Sequence, residues 1–109
     1  MIVHCSARAE AVGNGAMRIV CSVAAAQPMH RMGVTCIRIQ DVYGTDVETL
    51  WNTDARRGGM TGHDCRRHTA SETICLPSGV YMAVVTFYAR NSSGSDGVTC
   101  CTDPVTIES

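Results

Sequence analysis

The segment Gly79-Val80-Tyr81-Met82-Ala83-Val84-Val85-Thr86-Phe87-Tyr88-Ala89 restricts the fold of this chain more than any other stretch. Tyr81, Ala83, Val85, Phe87 and Ala89 share one face of an extended strand, and Met82, Val84, Thr86 and Tyr88 share the other. Both faces are largely apolar, the pattern of a strand in the middle of a sheet. Tyr81 also follows Pro77-Ser78-Gly79 closely, which predicts a tyrosine corner: the phenol hydroxyl holds a loop that crosses between two sheets. A polar turn from Asn91 to Gly97 then leads into another strand.

The rest of the chain repeats this alternation in shorter runs. Between Ile2 and Val12, Val3, Cys5, Ala7, Ala9 and Ala11 lie on one face and His4, Ser6, Arg8 and Glu10 on the other, a half-buried edge strand. Gly13-Asn14-Gly15 tolerates positive φ, and Met17, Ile19, Cys21, Val23 and Ala25 resume the pattern, so a hairpin is predicted. Pro28 is expected to end it. A third strand covers Val34 to Val42, with Ile37 and Ile39 inward and Cys36, Arg38 and Gln40 outward, before the turn Tyr43-Gly44-Thr45-Asp46. Val47 to Thr53 reads as a short strand whose Trp51 is expected to fill the core beside Tyr81. From Asp54 to Ser71 apolar periodicity is lost, and the reading is a long polar loop. Thr73 to Leu76 and Val98 to Ile107, the latter bent near Pro104, complete about seven strands. Ala24-Ala25-Ala26-Gln27 is the one weak helix signal.

The 109 residues fit one domain, 1–109, the size of a seven-stranded sandwich. The net charge is −1 and all nine basic residues are arginine, so a broad cationic field for nucleic acid is excluded. No apolar run approaches the ~20 residues of a membrane span. Aromatics make up 5% and the apolar 45% is rich in Ala, Cys and Val, giving a core of small side chains at roughly 25 cal/mol per Å². Seven cysteines without a CxxC pair point away from zinc ribbons and thioredoxin-type motifs and toward an exported, disulfide-bonded chain. MIVHCSARAE lacks the basic and apolar regions of a signal peptide, so export implies a leader already removed.

Met32-Gly33-Val34-Thr35 leading into the Ile37/Ile39 strand, Gly59-Met60-Thr61-Gly62-His63, and the Gly79–Ala89 run with its Ser93-Gly94-Ser95-Asp96 turn carry a resemblance. Together they cover most of the chain after the first strand. In these residues the chain resembles small secreted proteins of gut Firmicutes with a single immunoglobulin-like or fibronectin-type-III-like domain. The resemblance implies fold and export, and no activity. The cysteine content departs from that group, so bridges are argued from this chain alone.

Cys5 and Cys21 lie on inward faces almost symmetrically about Gly13-Asn14-Gly15, and a cross-strand bridge needs a bulge to absorb an offset of about two residues. Cys65 and Cys75 flank a segment short enough to close as a loop, worth roughly 2–3 kcal/mol by chain entropy. Cys36, Cys100 and Cys101 remain. The last two are neighbours in a strand, so one points inward and one outward. There are about 105 ways to draw three bridges, and the competing reading is that the thiols are small buried hydrophobes.

His63-Asp64-Cys65-Arg66-Arg67-His68 is the densest group of chemically capable side chains. His63, Cys65 and His68 could approach one metal ion only with a distant fourth ligand such as Cys75 or His30, so no bound metal or cofactor is expected. A Cys65–His68 nucleophile pair lacks a recognisable oxyanion element. Arg56, Arg57, Arg66 and Arg67, with His63 and His68, form a candidate docking surface for a carboxylate, sulfate or phosphate, opposed by neutralisation from Asp54, Asp64 and Glu72. The expectation is an all-β, immunoglobulin-like, two-sheet antiparallel sandwich, secreted, serving as a non-catalytic binding module for a protein, a glycan or an anionic ligand. The alternatives are a small disulfide-stabilised effector or antimicrobial-type protein, and a metal- or thiol-dependent activity at His63/Cys65/His68.

Overall fold

The structure is a computed structural model and describes residues 2–52 and 58–108. It is all-β. Seven antiparallel strands run in the order β1 (Ile2–Gly13), β2 (Ala16–Gln40), β3 (Asp46–Trp51), β4 (Thr61–Cys75), β5 (Gly79–Asn91), β6 (Gly94–Cys101) and β7 (Val105–Ile107), with a 3₁₀ turn at Gly58–Met60 before β4. No helix of the described residues is long and apolar enough to cross a membrane.

Strand β2 organises the rest. One edge pairs first with β1 and then, from Arg31, with β5; the other pairs with β4 from Ala16 to Gly33 and then with β3 from Cys36. Strand β6 continues the sheet beyond β5, and β7 pairs with the start of β5. At about 3.3 Å per residue a straight 25-residue strand would be roughly 80 Å long. The molecule measures 45 × 25 × 18 Å, so β2 must bend, and the sheet curls with it into a half-barrel. The bend sits where the pairing jumps from Ala24↔Arg67 to Met29↔Cys65, leaving β2 residues 25–28 opposite Arg66 alone. Pro28 lies in this bulge. A proline has no N–H to give to a ladder, and a bulge asks for none. The strand therefore continues through Pro28, which was expected to end it.

Asn14 (φ 57°) and Gly15 (φ 72°) form the two-residue turn of the predicted β1–β2 hairpin; positive φ at both positions gives the twist that lets the flanking strands pair. Tyr81 is buried, and its hydroxyl donates to the carbonyl oxygen of Pro77 at 2.8 Å, fastening the approach to β5. Met17, Ile19, Cys21 and Val23 of β2 meet Ile37, Ile39, Val85, Phe87 and Ile107 in one core. Four methionines, Met17, Met29, Met32 and Met60, are also buried there, so flexible thioethers supply the volume that aromatics do not.

Two further expectations are corrected. Residues 61–71, read as loop, belong to β4, whose ladder to β2 holds them although only Ala70 is fully buried. Polar side chains are compatible with a strand at the edge of the sheet, where one backbone edge and most side chains meet water. Trp51 is 52% exposed rather than core-filling: Leu50 takes the inward position of β3 at 2% exposure, and strand alternation turns Trp51 outward.

Candidate functional site

Among the described residues, the basic side chains of the long polar stretch, His63, Arg66, Arg67 and His68, are carried on β4 and are set by its kink. His63, Cys65, Arg66, Arg67 and His68 follow one another along the strand, and Asp64 between them has φ 51°. This left-handed residue breaks the alternation, and Cys65 and His68 both come to rest on Gly62. A Cβ at Gly62 would lie 3.0 Å from Cys65 Sγ and 2.6 Å from His68 Nδ1, so the close packing depends on glycine. His68 Nε2 is 2.7 Å from the carbonyl oxygen of Gly59. A carbonyl only accepts, so Nε2 carries a proton and the neutral ring keeps its lone pair on Nδ1.

The two arginines beside them differ. Arg66 Nη2 donates to the carbonyl oxygen of Ala26 at 2.9 Å, meeting a backbone acceptor inside the β2 bulge. Arg67 stands opposite Ala24, exposed, with no ion pair among the described residues. Both rim an open groove of about 730 Å³ whose floor includes Val3, Ala24, Ala25, Ala26 and Cys65. His63 is exposed and lies further along, opposite Arg31. Arg56 and Arg57 fall outside the described residues. The surface brings together Arg66 and Arg67, spends His68 on Gly59, and separates His63 from them.

Among the described residues no group of three His, Cys, Asp or Glu side chains is placed to hold a metal ion. Cys75, named as a distant fourth ligand, is ten residues along the same strand from Cys65, up to about 33 Å of extended chain, and the two stand opposite Ala16 and Met29 of β2. The Cys65–Cys75 bridge, which presumed a loop, is corrected likewise: both thiols are free and lie ten residues apart on one strand. The Cys5–Cys21 bridge is also corrected. The tight Asn14-Gly15 turn puts Cys5 opposite Val23 and Cys21 opposite Ala7, two positions out of step. Cys5 is instead joined to Cys100 of β6, and Cys21, Cys36, Cys65, Cys75 and Cys101 carry free thiols. Burial, and secondarily the charge of Glu72, pushes the Cys21 thiol from 9.0 to about 12, which makes it a poor nucleophile.

A second basic constellation escaped the sequence reading. Arg90, Arg31 and His63 are direct cross-strand neighbours on β5, β2 and β4. Their positions in the chain give no sign of this; only the register of three strands brings them into one row.

Compared with protein-family models, curated proteins and solved structures, the chain has no match.

Proposed function

We propose that this chain is an exported, immunoglobulin-like binding module whose docking surface is the Arg66/Arg67 rim of β4, and that it engages an acidic protein segment without catalysing a reaction. The sandwich reading is supported by the way β2 is shared. With β2 counted once in each half, β1-β2-β4 corresponds to an A-B-E sheet and β3-β2-β5-β6 to a C′-C-F-G sheet. The Tyr81 to Pro77 hydrogen bond sits at the start of the strand that corresponds to F, where such domains place a tyrosine corner. The Cys5–Cys100 bridge supports export, because disulfides persist in oxidising compartments.

The observation that carries the docking surface is the position of Arg67 at the rim of an open, mostly apolar-floored groove, its charge unmatched by an acid among the described residues. A guanidinium fork there is free to take a carboxylate bidentately while the alanine floor receives an aliphatic stem. The test is fluorescence anisotropy with a labelled glutamate-rich peptide. Binding that weakens about tenfold in Arg67→Glu, with the circular dichroism of the fold unchanged, is expected. Equal binding by wild type and variant would remove this surface from consideration.

A further inference from the structure

We infer that Arg31 and Arg90 form a second, separate site, a cross-strand cradle for the oxyanion group of a sulfate- or carboxylate-bearing ligand. The two arginines are directly paired in the β2–β5 register, so their side chains leave the same face of the sheet side by side. Both are exposed, and both line one groove of about 400 Å³ together with Thr35, Asn52, Tyr88 and Ser95. Among the described residues the lining contains no carboxylate.

Like charges placed directly opposite across a ladder destabilise a sheet, and the usual remedy is an acid next to each arginine. This chain uses that remedy elsewhere. Arg18 stands opposite Glu10 in the β1–β2 register and donates to it at 2.7 Å, and Arg38 lies 3.8 Å from Asp46 across β2 and β3. At Arg31 the partners on both sides are basic: Arg90 on β5 and His63 on β4. Neither Arg31 nor Arg90 has an ion-pair partner among the described residues. No acid among the described residues relieves the repulsion, and an oxyanion between two guanidinium forks does so with bidentate hydrogen bonds.

The remaining lining residues fit the neutral part of such a ligand. Thr35, Asn52 and Ser95 offer hydroxyl and amide groups that suit the hydroxyls of a sugar. Tyr88 is paired with Gly33 on one side and Gly97 on the other, neither of which has a side chain to cover its ring. Its hydroxyl donates to Thr61 Oγ1 at 3.1 Å, across Gly33, and so fixes the ring's position. Sulfate occurs free or on a sugar, and the two sources are separable by experiment.

The proposal does not rest on the β4 surface, since Arg67 takes no part in it. The test is a nuclear magnetic resonance titration of the full chain, following the arginine Nε–H resonances with inorganic sulfate at ionic strength held constant by chloride. Saturable shifts at Arg31 and Arg90 are expected, with affinity falling about tenfold in Arg31→Gln and in Arg90→Gln and unchanged in Arg8→Gln. Because Arg31→Gln removes a like-charge contact, its melting temperature without sulfate is expected to equal or exceed that of the wild type. A parallel titration with glucose 6-sulfate assigns the source: tighter binding than inorganic sulfate means a sugar-borne group, and equal binding means the oxyanion alone. Shifts reproduced by chloride, or retained in both glutamine variants, would overturn the cradle.

Discussion

Cys21, a bridge candidate by sequence, is a free and inert buried thiol in the fold. It is 1% exposed among Met17, Ile19 and Val23, and with its thiol held near 12 it remains protonated when an unfolded chain would already have ionised. The folded state binds this proton more tightly, so the contribution to stability is complete below pH 9 and is lost as pH rises from about 9 toward 12. Urea melts across that range are expected to show a decline that is smaller in Cys21→Ala, whatever the variant's lower starting stability; equal slopes would contradict the assignment. Exposed Cys75 and Cys101 are expected to be alkylated first in the native protein. Inward residues such as Ile37, Ile39 and Tyr81 were legible because two-residue periodicity is a local property. Trp51 was not, since its side of β3 depends on Leu50 winning the inward position.

At the scale of elements, the bulge in β2 decides most of what the local patterns missed. Sequence alternation shows two strands separated by Pro28, and the inward Met17, Ile19, Cys21, Val23, Ile37 and Ile39 are read correctly, whereas Cys36, expected outward, is buried; the continuity of the two depends on β4, which pairs with both halves and keeps them in one ladder. Residues 61–71 of β4 were in turn illegible, unlike its end at residues 73–75, because an edge strand with one ladder and much solvent needs little apolar periodicity. The candidate site inherits the same limitation: Arg66 and Arg67 are adjacent in sequence, yet one secures the bulge and the other faces solvent. Arg66→Ala is therefore expected to cost up to about 1 kcal/mol, since the hydrogen bond to Ala26 is exposed, while Arg67→Ala leaves the melting temperature unchanged. The pair of thermal melts distinguishes a structural arginine from a docking one, and equal losses in both would refute the division of roles.

For the whole molecule, the closure of the curl rests on contacts between strands that share no ladder. β1 pairs only with β2, yet its far side reaches β6: the backbone N–H of Ile2 donates to Asp96 Oδ2 at 2.9 Å, and Cys5 is bonded to Cys100. Cys5, Ala7 and Ala9 pack there only partly buried, so this seam contributes less apolar area than the Ile/Val/Phe centre of the core. A covalent link matters most at such a seam. It also spans 95 residues, and on the chain-entropy account closing a loop of this length restricts the unfolded state by up to about 4–5 kcal/mol. Reductant is thus expected to lower the melting temperature of the wild type substantially and to leave a Cys5→Ala/Cys100→Ala double variant, already at the lower value, unmoved. If the wild type melts identically with and without reductant, the seam is held by the Ile2–Asp96 contact and the core alone, and the case for an oxidising compartment loses its main support. If the double variant also responds, a different pair among the remaining thiols is bridging in solution.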